Sequence, residues 1–261
     1  MFLLGLVDDV YDLPPRIKLF VQIGAALIAF MLGVKVEILS NPFGGTIHLG
    51  LLALPITLLW LVGITNAVNF IDGLDGLAGG IITIIAVTLG VVAMFTNQPA
   101  SALIAALLAG SVMGFLVFNL YPARIFMGDS GALFSGFVLA GLSVTGVIKS
   151  VAVSILLPIL IFSVPILDMF FSVFRRIIKG SNPMYADKEH IHHKLIKYGL
   201  SQNRTVAILY LICVAGGILA TFLIGKLMVY LTLMGFVFLF LAIFYVVAKF
   251  RSIKDLKELS D

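Results

Sequence analysis

The stretch NAVNFIDGLDGLAGG, residues 66–80, ends one long apolar run and begins another. It carries two asparagines and two aspartates, with four glycines beside them. Ionisable side chains next to lipid are costly unless they pair, bind a cation or reach the membrane surface. The stretch therefore predicts two membrane helices joined at a polar surface, and its acids need a partner or a function.

The composition indicates a polytopic membrane protein. Of the 261 residues, 61% are hydrophobic and 11% are charged, whereas ordinary soluble domains are about 45–50% apolar. Lipid is the solvent that tolerates so many apolar side chains, which excludes a soluble enzyme. The single cysteine, Cys213, lies in an apolar run, so it forms no intramolecular disulfide and is interpreted as a packing residue.

Eight apolar runs approach the length of about 20 residues that a spanning helix needs. They are residues 17–39, 50–71, 77–96, 101–121, 132–148, 151–178, 205–225 and 227–250. We therefore expect an all-α fold of about eight transmembrane helices in one domain, preceded by an N-terminal helix remnant. Residues 179–204 are predicted to be a polar loop, and Gly44-Gly45, between two short alternating runs, is compatible with a β-hairpin.

The basic residues predict the orientation in the membrane. If the eight runs cross the membrane in turn, the polar residues 8–18 and 72–76 lie on the same side of it. Fourteen of the 17 Lys and Arg residues lie on that side. Lys35, Lys149 and Lys226 lie on the other side. Because cytoplasmic connections are enriched in Lys and Arg, the first side is predicted to be cytoplasmic.

Four polar clusters fall on this predicted cytoplasmic side. They are Asp8, Asp9 and Asp12; Asn66, Asn69, Asp72 and Asp75; Asn119, Arg124, Asp129 and Ser130; and Asp187, His190, His192 and His193. Carboxylate and amide oxygens suit Mg²⁺, which bridges to substrate phosphates, and helix N-termini such as those after Gly76 and Gly131 suit anions. The clusters together predict a cation- and phosphate-binding site.

Each cluster also has a simpler explanation. Isolated aspartates at helix ends are commonly caps, and three histidines can lie in a solvated interfacial loop. Asp8 and Asp12 share a face if the segment is helical, and they then repel unless a cation or an arginine intervenes, which favours a metal site or a base. A zinc site lacks the usual companion Cys and His spacing.

Asp168 lies inside the sixth apolar run. An acid within a membrane segment indicates function by default. Pro158 and Pro165 predict a kink in the same helix, and an acid near a kink also satisfies freed backbone groups. The sequence favours neither interpretation.

In this order, the clusters resemble the motifs of the polyprenyl-phosphate N-acetylhexosamine-1-phosphate transferases, the group of the WecA, TagO and MraY enzymes. The matching segments are DDVYD, KLFVQ, NAVNFIDGLDGLAGG, FNLYPARIFMGDSG, and PILD through RR to DKEHIHHKL. They cover residues 5 to 200 or so, and the HIHH form resembles the WecA and TagO branch more than MraY.

The resemblance implies transfer of N-acetylhexosamine 1-phosphate, N-acetylglucosamine 1-phosphate in this branch, from a UDP-sugar to undecaprenyl phosphate. UMP is released, and the implied cofactor is Mg²⁺, with Mn²⁺ as a substitute. Such a reaction begins cell-envelope polysaccharide or teichoic acid synthesis. It implies a bacterial plasma membrane, an active site facing the cytoplasm, no nucleic-acid partner and a homodimer as one arrangement.

The same motifs imply roles for individual residues. Asp129 would be a metal ligand, with Asp72 as a second ligand or a positioning acid. Asp8 and Asp9 would bind or deprotonate the lipid phosphate, or act as nucleophile in a covalent two-step route, and the sequence leaves these routes open. The implied substrate contacts are Asn69 and Asp75 to the nucleotide, Lys18 to phosphate, Asp12 to the substrate, and Asn119 as a support of the site. His190, His192 and His193 would bind diphosphate or sugar phosphate, with His192 and His193 counted among the catalytic residues.

The chain departs from the family pattern at its start. Family members carry further helices ahead of the DD motif, so we expect this chain to lack two to three N-terminal helices. An inactive fragment of the transferase is therefore one alternative. A polytopic transporter or cation-binding membrane protein, with acids near the bilayer midplane, is another.

Overall fold

A computed structural model describes residues 1–40, 45–145, 156–178, 190–235, 237–239 and 242 of the chain. The helices are α1 Phe2–Tyr11, α2 Pro15–Met31, α3 Ala53–Phe70, α4 Leu77–Phe95, α5 Pro99–Asn119, α6 Gly128–Ser143, α7 Leu156–Ile161, α8 Ser163–Ile178, α9 Ile191–Lys197, α10 Gln202–Leu223 and α11 Leu227–Leu239. A 3₁₀ turn, Gly50–Leu52, leads into α3. The expected all-α polytopic fold is confirmed.

Four described helical segments are long and apolar enough to cross a membrane. They are Gly50–Phe70, Leu77–Phe95, Pro99–Asn119 and Gln202–Leu223, and they match four of the expected spans. α2 and α6 have 17 and 16 residues and fall short of the usual spanning length. The total of eight spans stays a prediction.

The expected sixth span contains two helices within its described residues, 156–178. α7 ends at Ile161 and α8 begins at Ser163, so the interruption lies between Pro158 and Pro165. Proline has no N–H, so Pro165 cannot donate to the carbonyl four residues earlier. The predicted kink is confirmed as a break at Phe162.

The predicted hairpin is also confirmed. β1, Ile38–Ser40, pairs antiparallel with β2, Thr46–His48, and Ile38 lies opposite His48. The expected loop of residues 179–204 is described from residue 190 onward, and there it contains α9 and the first turn of α10. The sequence did not indicate α9, because seven residues give too little periodicity to read.

α4 lies at the centre of the bundle. In its membrane window 83% of residues are buried, against 39% in the window of α5. α4 packs against α5 and α10, while α3 packs against α2 and α6. The outer helices expose apolar side chains such as Leu103 and Leu107, as lipid-facing surfaces do.

Two polar contacts pin the helices inside the apolar bundle. Gln22 and Asn66 exchange side-chain hydrogen bonds of 3.2 and 2.7 Å between α2 and α3. Trp60 Nε1 donates to Ser143 Oγ at 2.8 Å between α3 and α6. Hydrogen bonds between membrane helices satisfy polar groups that lipid cannot, so these pairs fix how α3 sits against its neighbours.

Gly5 brings α1 into backbone contact with the start of α6. A Cβ atom at Gly5 would overlap Ser130 Cα and the backbone of Asp129. This close approach places the end of α1 over the first turn of α6.

We predict that Gly5→Ala lowers the melting temperature of the detergent-solubilised protein, because the added methyl group must push α1 away from α6. Overpacking of this kind costs about 1–3 kcal/mol. Gly24→Ala in α2 is the matched control, since nothing lies within 4 Å of its Cβ position. Alanine is the better helix former, so this control should keep or raise the melting temperature. An unchanged melting temperature for Gly5→Ala would contradict the contact.

Candidate active site

The polar clusters meet at one end of the bundle. The ends of α1, α3 and α5 and the start of α6 lie there, together with the loop after α3 and the segment that begins α9. We call Asp8, Asp9, Asp72 and Asp129 the carboxylate cluster. The expectation that the motifs gather on one face therefore agrees with the contacts between them.

Lys18 joins two members of the carboxylate cluster. Its Nζ donates to Asp8 Oδ2 at 2.5 Å and to Asp129 Oδ2 at 3.2 Å. Asp8 is buried, and its Oδ1 accepts the Leu13 N–H at 2.8 Å. The Lys18 ammonium therefore offsets the repulsion between two acids that belong to different helices.

Asp12 is not part of this arrangement. α1 ends at Tyr11, and Asp12 forms an exposed C-cap with φ of 49°. The expectation that Asp8 and Asp12 share one helical face is wrong, because α1 ends at Tyr11. The backbone of Asp12 adopts the left-handed conformation instead. The basic group that accompanies Asp8 is Lys18 of the next helix.

Asp9 caps α6. Its Oδ1 accepts the Asp129 N–H at 2.7 Å, and its Oδ2 accepts the Ser130 N–H at 3.1 Å. The first N–H groups of a helix lack partners within it, and a carboxylate satisfies them well. Gly128, with φ of 64°, leaves room for this carboxylate. We expected α6 to offer its N–H groups to an anion after Gly131, but α6 begins at Gly128, and Asp9 accepts the N–H groups of its second and third residues.

Asp129 is oriented from two sides. Asn69 Nδ2 donates to Asp129 Oδ1 at 2.9 Å, while Lys18 binds Oδ2. Burial and the neighbouring Asp8 carboxyl raise the pKa of Asp129. Asn69, expected to contact the nucleotide, here holds the carboxylate that the motifs imply is the metal ligand.

Asp72 lies in the loop between α3 and α4. Burial, followed by the charges of Asp129 and Asp9, raises the pKa of Asp72 from 3.8 to about 7. A divalent cation between Asp72 and Asp129 would relieve that repulsion, and oxygen ligands suit Mg²⁺. Among the described residues no group of three or more His, Cys, Asp or Glu side chains is arranged to hold a metal ion. Two carboxylates still fit Mg²⁺, which usually keeps several waters and binds substrate phosphate.

Asn119 and Asp75 fasten two motif loops together. Asn119 Oδ1 accepts the Gly76 N–H at 3.1 Å, and its Nδ2 donates to the Ile125 carbonyl at 2.9 Å. Asp75 Oδ2 accepts the Ala123 N–H at 3.0 Å. These contacts hold the loop after α3 against the segment after α5. The Gly76 N–H at the start of α4 is thereby occupied by the protein itself.

Tyr210 of α10 is a support that sequence reasoning missed. Its hydroxyl donates to the Gly76 carbonyl at 2.5 Å, and its ring fills the space beside Gly80. A tyrosine within an apolar run gives no motif signal. Gln22 is the last residue of the KLFVQ segment, and the sequence did not indicate that it pairs with Asn66.

The three histidines form a stack beside the loop after α3. The rings of His190 and His192 are 5.7 Å apart and parallel within 3°, and those of His192 and His193 are 4.3 Å apart. His190 and His192 are buried, while His193 is exposed. His192 Nε2 abuts Gly73 and has no hydrogen-bond partner within the described part of the chain. Burial, followed by His193, lowers the pKa of His192 to about 4, so this ring is neutral near pH 7.

Asp168 contacts the segment that carries the histidines. Its Oδ2 lies 2.9 Å from His190 Nδ1, and its Oδ1 accepts the Ile191 N–H at 2.6 Å. The sequence left open whether this acid is functional or satisfies backbone groups freed by the kink. The structure shows that it contacts His190, a residue of the histidine motif. Asp187 lies outside the described residues, and Arg124 is exposed.

Comparison with known proteins is consistent with the motifs. The model of glycosyl transferase family 4 matches residues 1–147. A probable undecaprenyl-phosphate N-acetylglucosaminyl 1-phosphate transferase of Bacillus subtilis is 42% identical over 214 residues, which are 81% of this chain and 60% of the relative. A decaprenyl-phosphate N-acetylglucosaminephosphotransferase of Mycobacterium leprae is 36% identical over 231 residues, covering 80% of this chain and 58% of the relative.

A third relative is matched over a shorter part of the chain. A phospho-N-acetylmuramoyl-pentapeptide-transferase of Streptococcus uberis is 42% identical over 134 residues, covering 51% of this chain and 40% of the relative. The chain spans about 60% of the length of the Bacillus relative.

We predict that Asp72→Asn stabilises the protein in divalent-free buffer at about pH 8 and leaves it unchanged near pH 4. The folded pKa of Asp72, about 7, lies above the unfolded value of 3.8, so ionisation opposes folding. Stability is lost as pH rises between these two values and stays low above them. The gain has an upper bound of about 4 kcal/mol. Thermal unfolding of the solubilised protein measures it.

Glu37→Gln is the control for the loss of an acid. Glu37 is exposed and lies just before β1, beyond the end of α2 that is opposite to Lys18. It should leave the melting temperature unchanged at both pH values. Equal stability of Asp72→Asn and the parent at about pH 8 would contradict the repulsion within the carboxylate cluster.

Proposed function

Because this chain belongs to glycosyl transferase family 4, we propose that the protein transfers an N-acetylhexosamine 1-phosphate from a UDP-sugar to a polyprenyl phosphate and releases UMP. One observation carries the proposal. The carboxylate cluster, with Lys18 and Asn69 bonded to it, is assembled from separate segments of residues 1–147, which the family model matches. Paired carboxylates and donors of this kind suit phosphoryl transfer.

The sugar is N-acetylglucosamine and the acceptor is undecaprenyl phosphate. The names of the Bacillus and Mycobacterium relatives both support N-acetylglucosamine. The name of the Bacillus relative supports undecaprenyl phosphate, whereas that of the Mycobacterium relative carries decaprenyl phosphate. The reaction would begin cell-envelope polysaccharide or teichoic acid synthesis at a bacterial plasma membrane. The excess of Lys and Arg on the side of the clusters supports an active site that faces the cytoplasm.

Asp72 and Asp129 would hold Mg²⁺, with Mn²⁺ as a substitute. The bound ion would supply charge neutralisation on the diphosphate of the donor. The raised pKa of Asp72 supports this assignment, because it reflects burial first and then the charges of Asp129 and Asp9. Asn69 and Lys18 keep Asp129 in one orientation.

The histidine stack lies beside the loop that carries Asp72 and would contact the donor there. His193 is exposed and is the member most open to a diphosphate or a sugar phosphate. His192 fills the space beside Gly73 and separates His193 from the loop that carries Asp72. A neutral His192 places no positive charge in that buried position.

The contacts of Asp8 and Asp9 support direct transfer. All four of their carboxylate oxygens accept hydrogen bonds, from Lys18, Leu13, Asp129 and Ser130. Carboxylates held in this way are poor nucleophiles. An oxygen of the lipid phosphate would then attack the sugar-bound phosphorus, and the bond from that phosphorus to the bridging oxygen would break. UMP leaves with the bonding electron pair.

The transporter alternative has less support. It needs acids that face one another between spans, whereas Asp168, the acid predicted within a span, contacts His190. A homodimer stays a prediction.

We predict that Asp129→Asn lowers Mg²⁺-dependent UMP release from UDP-N-acetylglucosamine and undecaprenyl phosphate in nanodiscs by at least about 100-fold. The change removes a charge from the proposed metal site while keeping the size of the side chain. Glu37→Gln should retain the parental rate. A fully active Asp129→Asn would remove the metal assignment, and a parental chain that turns over no UDP-N-acetylhexosamine would contradict the proposed function.

Direct transfer also predicts that the protein does not exchange labelled UMP into UDP-N-acetylglucosamine without a lipid acceptor. A covalent intermediate on Asp8 or Asp9 would permit that exchange, because UMP would leave and return before the lipid phosphate reacts. The assay uses the full chain with Mg²⁺. Exchange at a rate comparable with turnover would exclude the direct route.

A further inference from the structure

α8 has its polar face inside the protein and its apolar face outside. Asp168, Ser172 and Arg176 follow one another at intervals of four residues and are all buried. The exposed side chains are apolar: Leu167, Phe170, Phe171, Phe174 and Ile178. Residues four apart share one side of a helix, and a lipid-facing helix turns its polar side inward. The polar face of α8 therefore lies against the segment that begins α9.

Asp168 holds this segment at two points. One carboxylate oxygen binds the ring of His190, and the other accepts the Ile191 N–H. A carboxylate accepts hydrogen bonds and has no proton to give, so His190 Nδ1 must carry the hydrogen. The pairing fixes both the orientation of the ring and its tautomer, with Nε2 as the nitrogen that remains for other contacts.

The contacts continue from His190 to the carboxylate cluster. The His190 ring lies 5.3 Å from the ring of Phe70 at the end of α3 and stacks on His192. His192 abuts Gly73, which follows Asp72 in the chain. A displaced His190 would therefore release the stack from the loop that carries Asp72.

We propose that Asp168 is a positioning residue, which fixes the tautomer of His190 and seats the histidine stack against the loop that carries Asp72. The effect on turnover rests on the proposed function. Carboxylate partners of this kind orient histidines in many catalytic and metal sites, and their loss typically costs about 10- to 100-fold.

Asp168→Asn separates positioning from mere support. The asparagine oxygen can still accept the Ile191 N–H, while its amide now donates to His190 Nδ1 and moves the ring hydrogen to Nε2. We expect kcat to fall about 10- to 100-fold while the melting temperature stays near the parental value. A purely structural role would leave kcat intact in this variant, and parental kcat would overturn the proposal.

Two further variants complete the activity test. Ser143→Ala removes a buried bond between helices, that of Trp60, and should leave kcat unchanged. If Asp168 acts through His190, the double variant Asp168→Asn/His190→Gln should be no slower than His190→Gln alone, since coupled residues are not additive. Losses that multiply in the double variant would contradict the coupling.

A spectroscopic readout tests the pairing without turnover. The chain has four histidines, and ¹⁵N-imidazole spectra of the solubilised protein, assigned with His190→Gln, report which ring nitrogen carries hydrogen. We expect protonated Nδ1 at His190 in the parent and protonated Nε2 in Asp168→Asn. Protonated Nε2 in the parent would overturn the proposal. An inactive parent with the expected spectra would overturn the proposed function and leave the pairing standing.

Discussion

The paired contact of Lys18 with Asp8 and Asp129 is the interaction on which the site depends. Asp8 and Asp129 come from α1 and α6, and Lys18 comes from α2. Charges at a partly buried site are costly unless opposite charge lies nearby. Without the ammonium, the end of the bundle would gather four carboxylates with little compensation. The close packing of Gly5 on the first turn of α6 brings together the same two helices, α1 and α6.

The motif residues divide between support and open chemistry. Three of these side chains form hydrogen bonds with backbone groups at helix starts and in loops, namely Asp9, Asp75 and Asn119. The negative charge of Asp72 is instead disfavoured by burial and by its acidic neighbours, and the ring of His193 is exposed. A rigid support beneath a few unsatisfied groups is the arrangement that preorganised sites require.

Much of this arrangement was predictable from local patterns. Apolar runs and short polar breaks predicted four long helices and the β1–β2 hairpin, because hydropathy and turn residues act over neighbouring positions. The break at Phe162 followed from two prolines. Tyr210 and the Gln22–Asn66 pair gave no such signal, because their importance lies in a partner on another helix.

The sequence by itself determined the membrane class, the approximate spans and the residue types that gather at one surface. Only the tertiary structure decided which acid meets which partner. Asp9 caps a helix that begins 119 residues later, and Asp168 pairs with His190, which follows it by 22 residues in the chain. Such pairings depend on how helices pack, since a carboxylate is equally suited to a metal ion, a lysine, a histidine or a free backbone N–H until one of them is brought within reach.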